Sequence, residues 1–114
     1  MCNSIELILK EYVQGLFKLL GKDLKKVLLY GSYARGEEEK NGEISDIDIM
    51  ILVSASENKI KDFEQKVIEF SYELDLKYNI MLSPIIEDIE NYEKRAKYMM
   101  FYKNINKEGV LLNG

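Results

Sequence analysis

Two aspartates one residue apart, Asp46 and Asp48, and an upstream glycine-serine pair, Gly31 and Ser32, are the residues of this 114-residue chain best suited to chemistry. The aspartates open the run Ile47-Asp48-Ile49-Met50-Ile51-Leu52-Val53. In a strand, residues i and i+2 point the same way, so both carboxylates converge on one point above a sheet. Such a pair suits Mg2+, a hard cation that takes oxygen ligands, keeps waters and shares its remaining positions with substrate phosphates. A two-ion version of the site would clamp the attacking and leaving oxygens of an in-line phosphoryl displacement. The Gly31-Ser32 turn, followed by a helix expected from Tyr33 onward, offers backbone N–H groups to a triphosphate. Ser32 can donate its hydroxyl there, and Arg35 either adds charge or serves as one half of a surface ion pair.

What the chain lacks narrows the chemistry further. It has no histidine, which removes Ser-His and Cys-His dyads, most catalytic zinc sites and imidazole acid-base catalysis. Its one cysteine, Cys2, provides neither a disulfide framework nor a thiolate metal site, so a reducing cytoplasmic setting is expected. With 16 basic and 20 acidic side chains the net charge is -4, opposite in sign to the footprint of a protein that binds long nucleic acid. No apolar stretch approaches the roughly 20 residues needed to span a bilayer, and no signal-peptide pattern opens the chain.

The elements that must position these residues follow from periodicity. Asn3 and Glu6 make a capping pair for an amphipathic helix carrying Ile5, Ile8, Tyr12, Leu16 and Leu19, which ends at Gly21. Residues 26–30 read as a buried strand, 37–43 as a polar loop, and 46–53 as a strand covered on both sides in its apolar half. A second amphipathic helix runs from Lys59 to about Leu76. Residues 79–86 read as a third strand, with Pro84 placing it at an edge or a strand end, and a last helix extends from about Asp88 to Gly109. With no linker or internal repeat, residues 1–114 are expected to form a single α/β domain, a small mixed sheet packed by helices.

Tyr30-Gly31-Ser32-Tyr33-Ala34-Arg35-Gly36 and Ser45-Asp46-Ile47-Asp48-Ile49 resemble the signature of the DNA polymerase β-type nucleotidyltransferases. The length, and the close from Phe101-Tyr102 to Glu108-Gly109-Val110-Leu111-Leu112, resemble the minimal nucleotidyltransferases, many of which are antitoxins. The resemblance implies the polymerase β-like fold, ATP as substrate, Mg2+ on Asp46 and Asp48, the nucleotide on Gly31, Ser32 and Arg35, and transfer of AMP to a hydroxyl. In antitoxin members the acceptor is a tyrosine of a partner HEPN toxin, in a homo- or hetero-oligomer. The segment 33–45 is longer than is usual in the family, a surface insertion of little cost. The family's third carboxylate, on the following strand, corresponds by this reading to Asn79, which can coordinate but cannot take a proton.

Two other readings remain open at this level. Loss of the general base, worth about 10²- to 10⁴-fold, would leave a degraded fold acting as a protein-binding antitoxin, with exposed aromatics such as Tyr98 and Tyr102 at its interface. An antibiotic nucleotidyltransferase would need a second domain or subunit to bind its acceptor.

Overall fold

The computed structural model describes residues 3–34, 39–40, 43–44 and 46–114. Helix α1 (Asn3–Leu20) passes through a short 3-10 turn (Gly21–Asp23) into β1 (Leu24–Tyr30). Two short strands, β2 (Glu39–Lys40) and β3 (Glu43–Ile44), pair with each other in the segment read as a loop. Then come β4 (Ile47–Val53), α2 (Glu57–Tyr78), β5 (Leu82–Asp88), α3 (Ile89–Ala96), α4 (Met100–Glu108) and β6 (Val110–Asn113).

The main sheet has the order β5-β4-β1-β6. β1 is antiparallel to β4 and β6, while β4 and β5 are parallel, joined by α2 as a crossover. The sheet is therefore mixed, as expected, and Pro84 does sit on an edge strand, where its missing N–H costs no ladder bond on the open side.

Alternation along β4 divides the core. Ile47, Ile49, Ile51 and Val53 face α1 and α2, in one cluster with Tyr12, Leu16, Phe63 and Val67. Met50 and Leu52 face α3 and α4, in a second cluster with Tyr92, Tyr102 and Ile105. β4 is thus covered on both sides, which explains why its sequence is apolar without interruption beyond Asp48.

Four expectations need correction. A fourth strand, β6, extends the sheet beyond β1, formed by residues 110–113 after the expected helix end. The last helix is two helices: Met99 is extended at φ -105° and ψ 124°, and the Tyr98 and Met99 N–H groups both donate to the Arg95 carbonyl. No proline or glycine marks this break in the sequence, so periodicity alone ran through it. The third strand begins at Leu82, because Asn79 takes the left-handed conformation at φ 53° and caps α2, its N–H donating to the Asp75 carbonyl. Finally, residues 31–34 form a turn, so the helix expected from Tyr33 does not begin there, and its continuation over residues 35–38 lies outside the described residues; buried Tyr33 ties the turn to the α1/α2 core.

The two helices on the first face are joined at both levels. The Tyr12 hydroxyl and Ser71 Oγ share a buried hydrogen bond of 2.7 Å between α1 and α2, and Phe70 stacks on Tyr12 at 5.5 Å. Burial pushes the Tyr12 phenol pKa up, so it stays protonated. At the surface, Tyr78 and Lys77 of α2 both donate to Glu11 of α1, which holds the α2 C-terminus where β5 begins. Tyr12→Phe should lower unfolding stability by about 1 kcal/mol, read as a lower urea midpoint at unchanged slope, because Ser71 loses its buried partner.

Candidate functional site

β1 and β4 bring the two motifs together. Tyr30 is the register partner of Asp48, so the chain leaves β1 directly beside the first turn of β4. Gly31 makes that exit at φ 75°, and a Cβ there would overlap Asp48 Oδ2 and lie 3.2 Å from its Cγ. Only glycine combines that backbone angle with so close an approach. The Gly31 backbone and the Asp48 carboxylate therefore share one concave spot. Ser32 is half-buried in the same turn.

Asp48 alternates with Met50 and Leu52 and so faces the α3/α4 side of the sheet. Its parallel neighbour on β5 is Ser83. Ser83 Oγ donates to Asp46 Oδ2 at 3.4 Å, a long bond that nevertheless places the exposed Asp46 carboxylate over the same neighbour. Asp46, Asp48, Ser83 and the Gly31 turn thus form one oxygen-rich corner at the N-terminal ends of β4 and β5. Arg35 lies outside the described residues.

Ser83 changes the account of the third ligand. Asn79 cannot supply it from the strand, since it lies exposed at the end of α2, three residues before β5. The β5 position beside Asp48 carries the hydroxyl of Ser83. Among the described residues no cluster of three histidine, cysteine, aspartate or glutamate side chains could hold a metal. The donor set still fits Mg2+: two carboxylates provide charge, all ligands are oxygens, and water with nucleotide phosphate can fill the remainder.

Two groups around this corner carry shifted pKa values. Tyr30 is pushed up to about 12, first by burial and then by the charges of Asp48 and Glu87. Asp75, near the end of α2, is raised by burial and by the charge of Asp46, against the opposing effect of the Leu82 N–H, which donates to its Oδ1 at 2.8 Å. Asp75 thereby pins the first residue of β5, while Ile47 N–H donates to the Met81 carbonyl at 2.8 Å to lock the same end of the ladder. Ser83 was not legible as part of the site, because the parallel register that brings β5 against Asp48 leaves no mark in local sequence. A cavity of about 250 Å³ opens beside the turn, lined by Tyr30, Gly31, Phe101, Asn104, Ile105 and Glu108.

Gly31→Ala should weaken MgATP binding by at least about tenfold, or 1.4 kcal/mol, in titration calorimetry, because the added methyl displaces the Asp48 carboxylate. A raised carboxylate pKa means that the folded state holds its proton more tightly than the unfolded chain. The contribution of Asp75 to stability is therefore present in acid and lost as pH rises past the ordinary aspartate value of about 3.9. Asp75→Asn, which keeps an acceptor for Leu82, should remove this loss: the stability gap between variant and wild type should widen in the variant's favour from acid to neutral pH.

The chain is similar to known proteins along most of its length. Residues 8–111 match the family model described as a nucleotidyltransferase domain. Two relatives from Methanocaldococcus jannaschii are named "Putative protein adenylyltransferase MJ0604", 36% identical over 94% of this chain and 96% of its own length, and "Putative protein adenylyltransferase MJ0141", 37% identical over 75% and 91%. Among solved structures, one described as a toxin-antitoxin with AMP-PNP superposes with a TM-score of 0.55 at 20% identity, covering 92% of this chain and 73% of that one. Another, the toxin-antitoxin MntA-HpeT in a double aspartate-to-glutamate variant, gives a TM-score of 0.59 at 17% identity over the same shares. The fold is that of the polymerase β-like nucleotidyltransferases, and the chain belongs to the nucleotidyltransferase domain family.

Proposed function

We propose that this chain is a nucleotidyltransferase antitoxin of the reducing cytoplasm that transfers AMP from MgATP to a tyrosine hydroxyl of a partner HEPN toxin. The observation that carries the reading is the Gly31 backbone pressed against Asp48, with Asp46 tethered alongside by Ser83. Phosphoryl chemistry needs carboxylates beside a backbone turn that can approach phosphate, and the closeness of Asp48 to Gly31 supports that use of this corner. Relatives named as protein adenylyltransferases support AMP as the transferred group. The neighbours described as toxin-antitoxin, one with AMP-PNP, support the partner class and the nucleotide.

Asp46 and Asp48 would hold Mg2+, which when bound neutralises phosphate charge. The Gly31 and Ser32 N–H groups and the Ser32 hydroxyl would hold the phosphates from the other side. The acceptor oxygen bonds to the α-phosphorus, the bond to pyrophosphate breaks, and the hydroxyl proton leaves to solvent. The β5 position beside Asp48 offers that proton a serine hydroxyl, Ser83, which is not a general base.

Ser83 also gives the second reading its footing: the fold is retained, transfer is slow or absent, and the protein neutralises its partner by covering it. Incubation with α-labelled ATP and a purified HEPN-type toxin separates the two. Label on the partner, lost by about 10²-fold or more in Asp46→Asn or Asp48→Asn with folding intact, is expected. Undiminished label in those variants would overturn the assignment, and a stable unlabelled complex would favour the covering role. Ser83→Asp should raise transfer if the missing carboxylate limits it.

A further inference from the structure

The break between α3 and α4 exposes an unusual surface. Tyr98, Met99, Met100 and Phe101 are consecutive and 83%, 49%, 66% and 47% exposed. Soluble proteins rarely present four large apolar side chains in a row to water without a task. Both flanks are fixed. Arg95 and Tyr102 both donate to Glu87 Oε1, at 3.1 and 2.5 Å, and Tyr92 meets Tyr102 edge-on at 5.5 Å. Tyr102, only 8% exposed, is thereby part of the support and not of the surface, contrary to the expectation that paired it with Tyr98.

Charge sharpens what the surface fits. From Lys94 to Lys103 the chain has no acidic residue, and Lys94, Lys97 and Lys103 are all exposed, within a protein of net charge -4. We infer that this surface docks an acidic polypeptide segment that carries an apolar anchor such as leucine, phenylalanine or tyrosine. Methionines supply adaptable apolar contact, Tyr98 and Phe101 supply large rigid area, and the lysine rim steers the partner's carboxylates. Because the flanks are held in place, little ordering cost falls on binding.

A polypeptide fits better than the two other polyanionic choices. The negative charge of the whole protein repels an extended nucleic acid beyond three lysines. A membrane surface is served by a continuous amphipathic helix, and the patch sits where the helix is interrupted. Phe101 meets Tyr30 edge-on at 5.8 Å and lines the cavity that reaches Gly31, so a docked segment would lie beside the candidate site. The inference stands whether or not the site transfers AMP.

The test is selection of a phage-displayed dodecapeptide library on the whole protein. Enriched peptides should combine Asp or Glu with Leu, Phe or Tyr. Their synthetic forms should bind about tenfold or more weakly to Met100→Ser and to Tyr98→Ser, both with wild-type melting curves. Lys97→Glu should weaken binding and flatten its salt dependence. No enrichment, enrichment without the acidic-apolar combination, or equal binding to the serine variants would overturn the proposal. So would tighter, patch-dependent binding of phosphatidylserine vesicles or of oligouridine. Because the readout is peptide affinity without ATP, failure here is distinct from failure of the transfer reading.

Discussion

The register of β1 on β4 is the constraint on which the rest depends. Tyr30 opposite Asp48 makes the chain turn at Gly31, directly onto the carboxylate. A slip by one residue would send every β4 side chain to the other face, turning Asp48 toward the apolar core under α1 and α2. The apolar half of the strand is packed on both faces: Ile49, Ile51 and Val53 are wholly buried in the α1/α2 core and Met50 in the α3/α4 core. The core thus fixes the site without any residue of the site contributing to the core. At roughly 25 cal/mol per Å² of apolar area, such burial outweighs the cost of seating a half-buried carboxylate at the strand mouth.

The second support is the closure of α2 onto β5. Asp75 accepts from three backbone groups in all, through its carbonyl from Asn79 and Ile80 and through its carboxylate from Leu82. One residue therefore ends a helix with its carbonyl and starts a strand with its carboxylate, and it does so near Asp46, whose charge that carboxylate feels. The arrangement couples helix termination to the electrostatics of the candidate site. Glu11, by gathering Lys77 and Tyr78, keeps that closure from moving relative to α1.

Much of this was legible in residue order. The apolar run after Asp48 announced a strand buried on both faces, Pro84 announced an edge, and the Gly31-Ser32 and Asp46-x-Asp48 pairs announced the corner where they meet. Asn79 misled because its neighbours Ile80 and Met81 look like strand residues, whereas its ability to adopt positive φ made it a helix cap. The helix break at Met99 was invisible because it is made by side chains seeking two different surfaces, Tyr92 and Tyr102 meeting while 98–101 turn outward. Ser83 was hidden for a different reason: parallel pairing across a crossover is set by tertiary packing and has no local signature.

The position of β6 carries a consequence for how the molecule is made. β6 pairs with β1, yet it follows every other strand and helix in chain order. While β1, β4 and β5 can assemble as soon as α2 is complete, β1 remains a bare edge until α3 and α4 have folded back and delivered residues 110–113. This is the longest closure between paired strands in the sheet and so a contact made late. During synthesis, the strand that leads into Gly31 is therefore the one left open to wrong pairing, and the apolar second core beneath α3 and α4 is what ends that exposure.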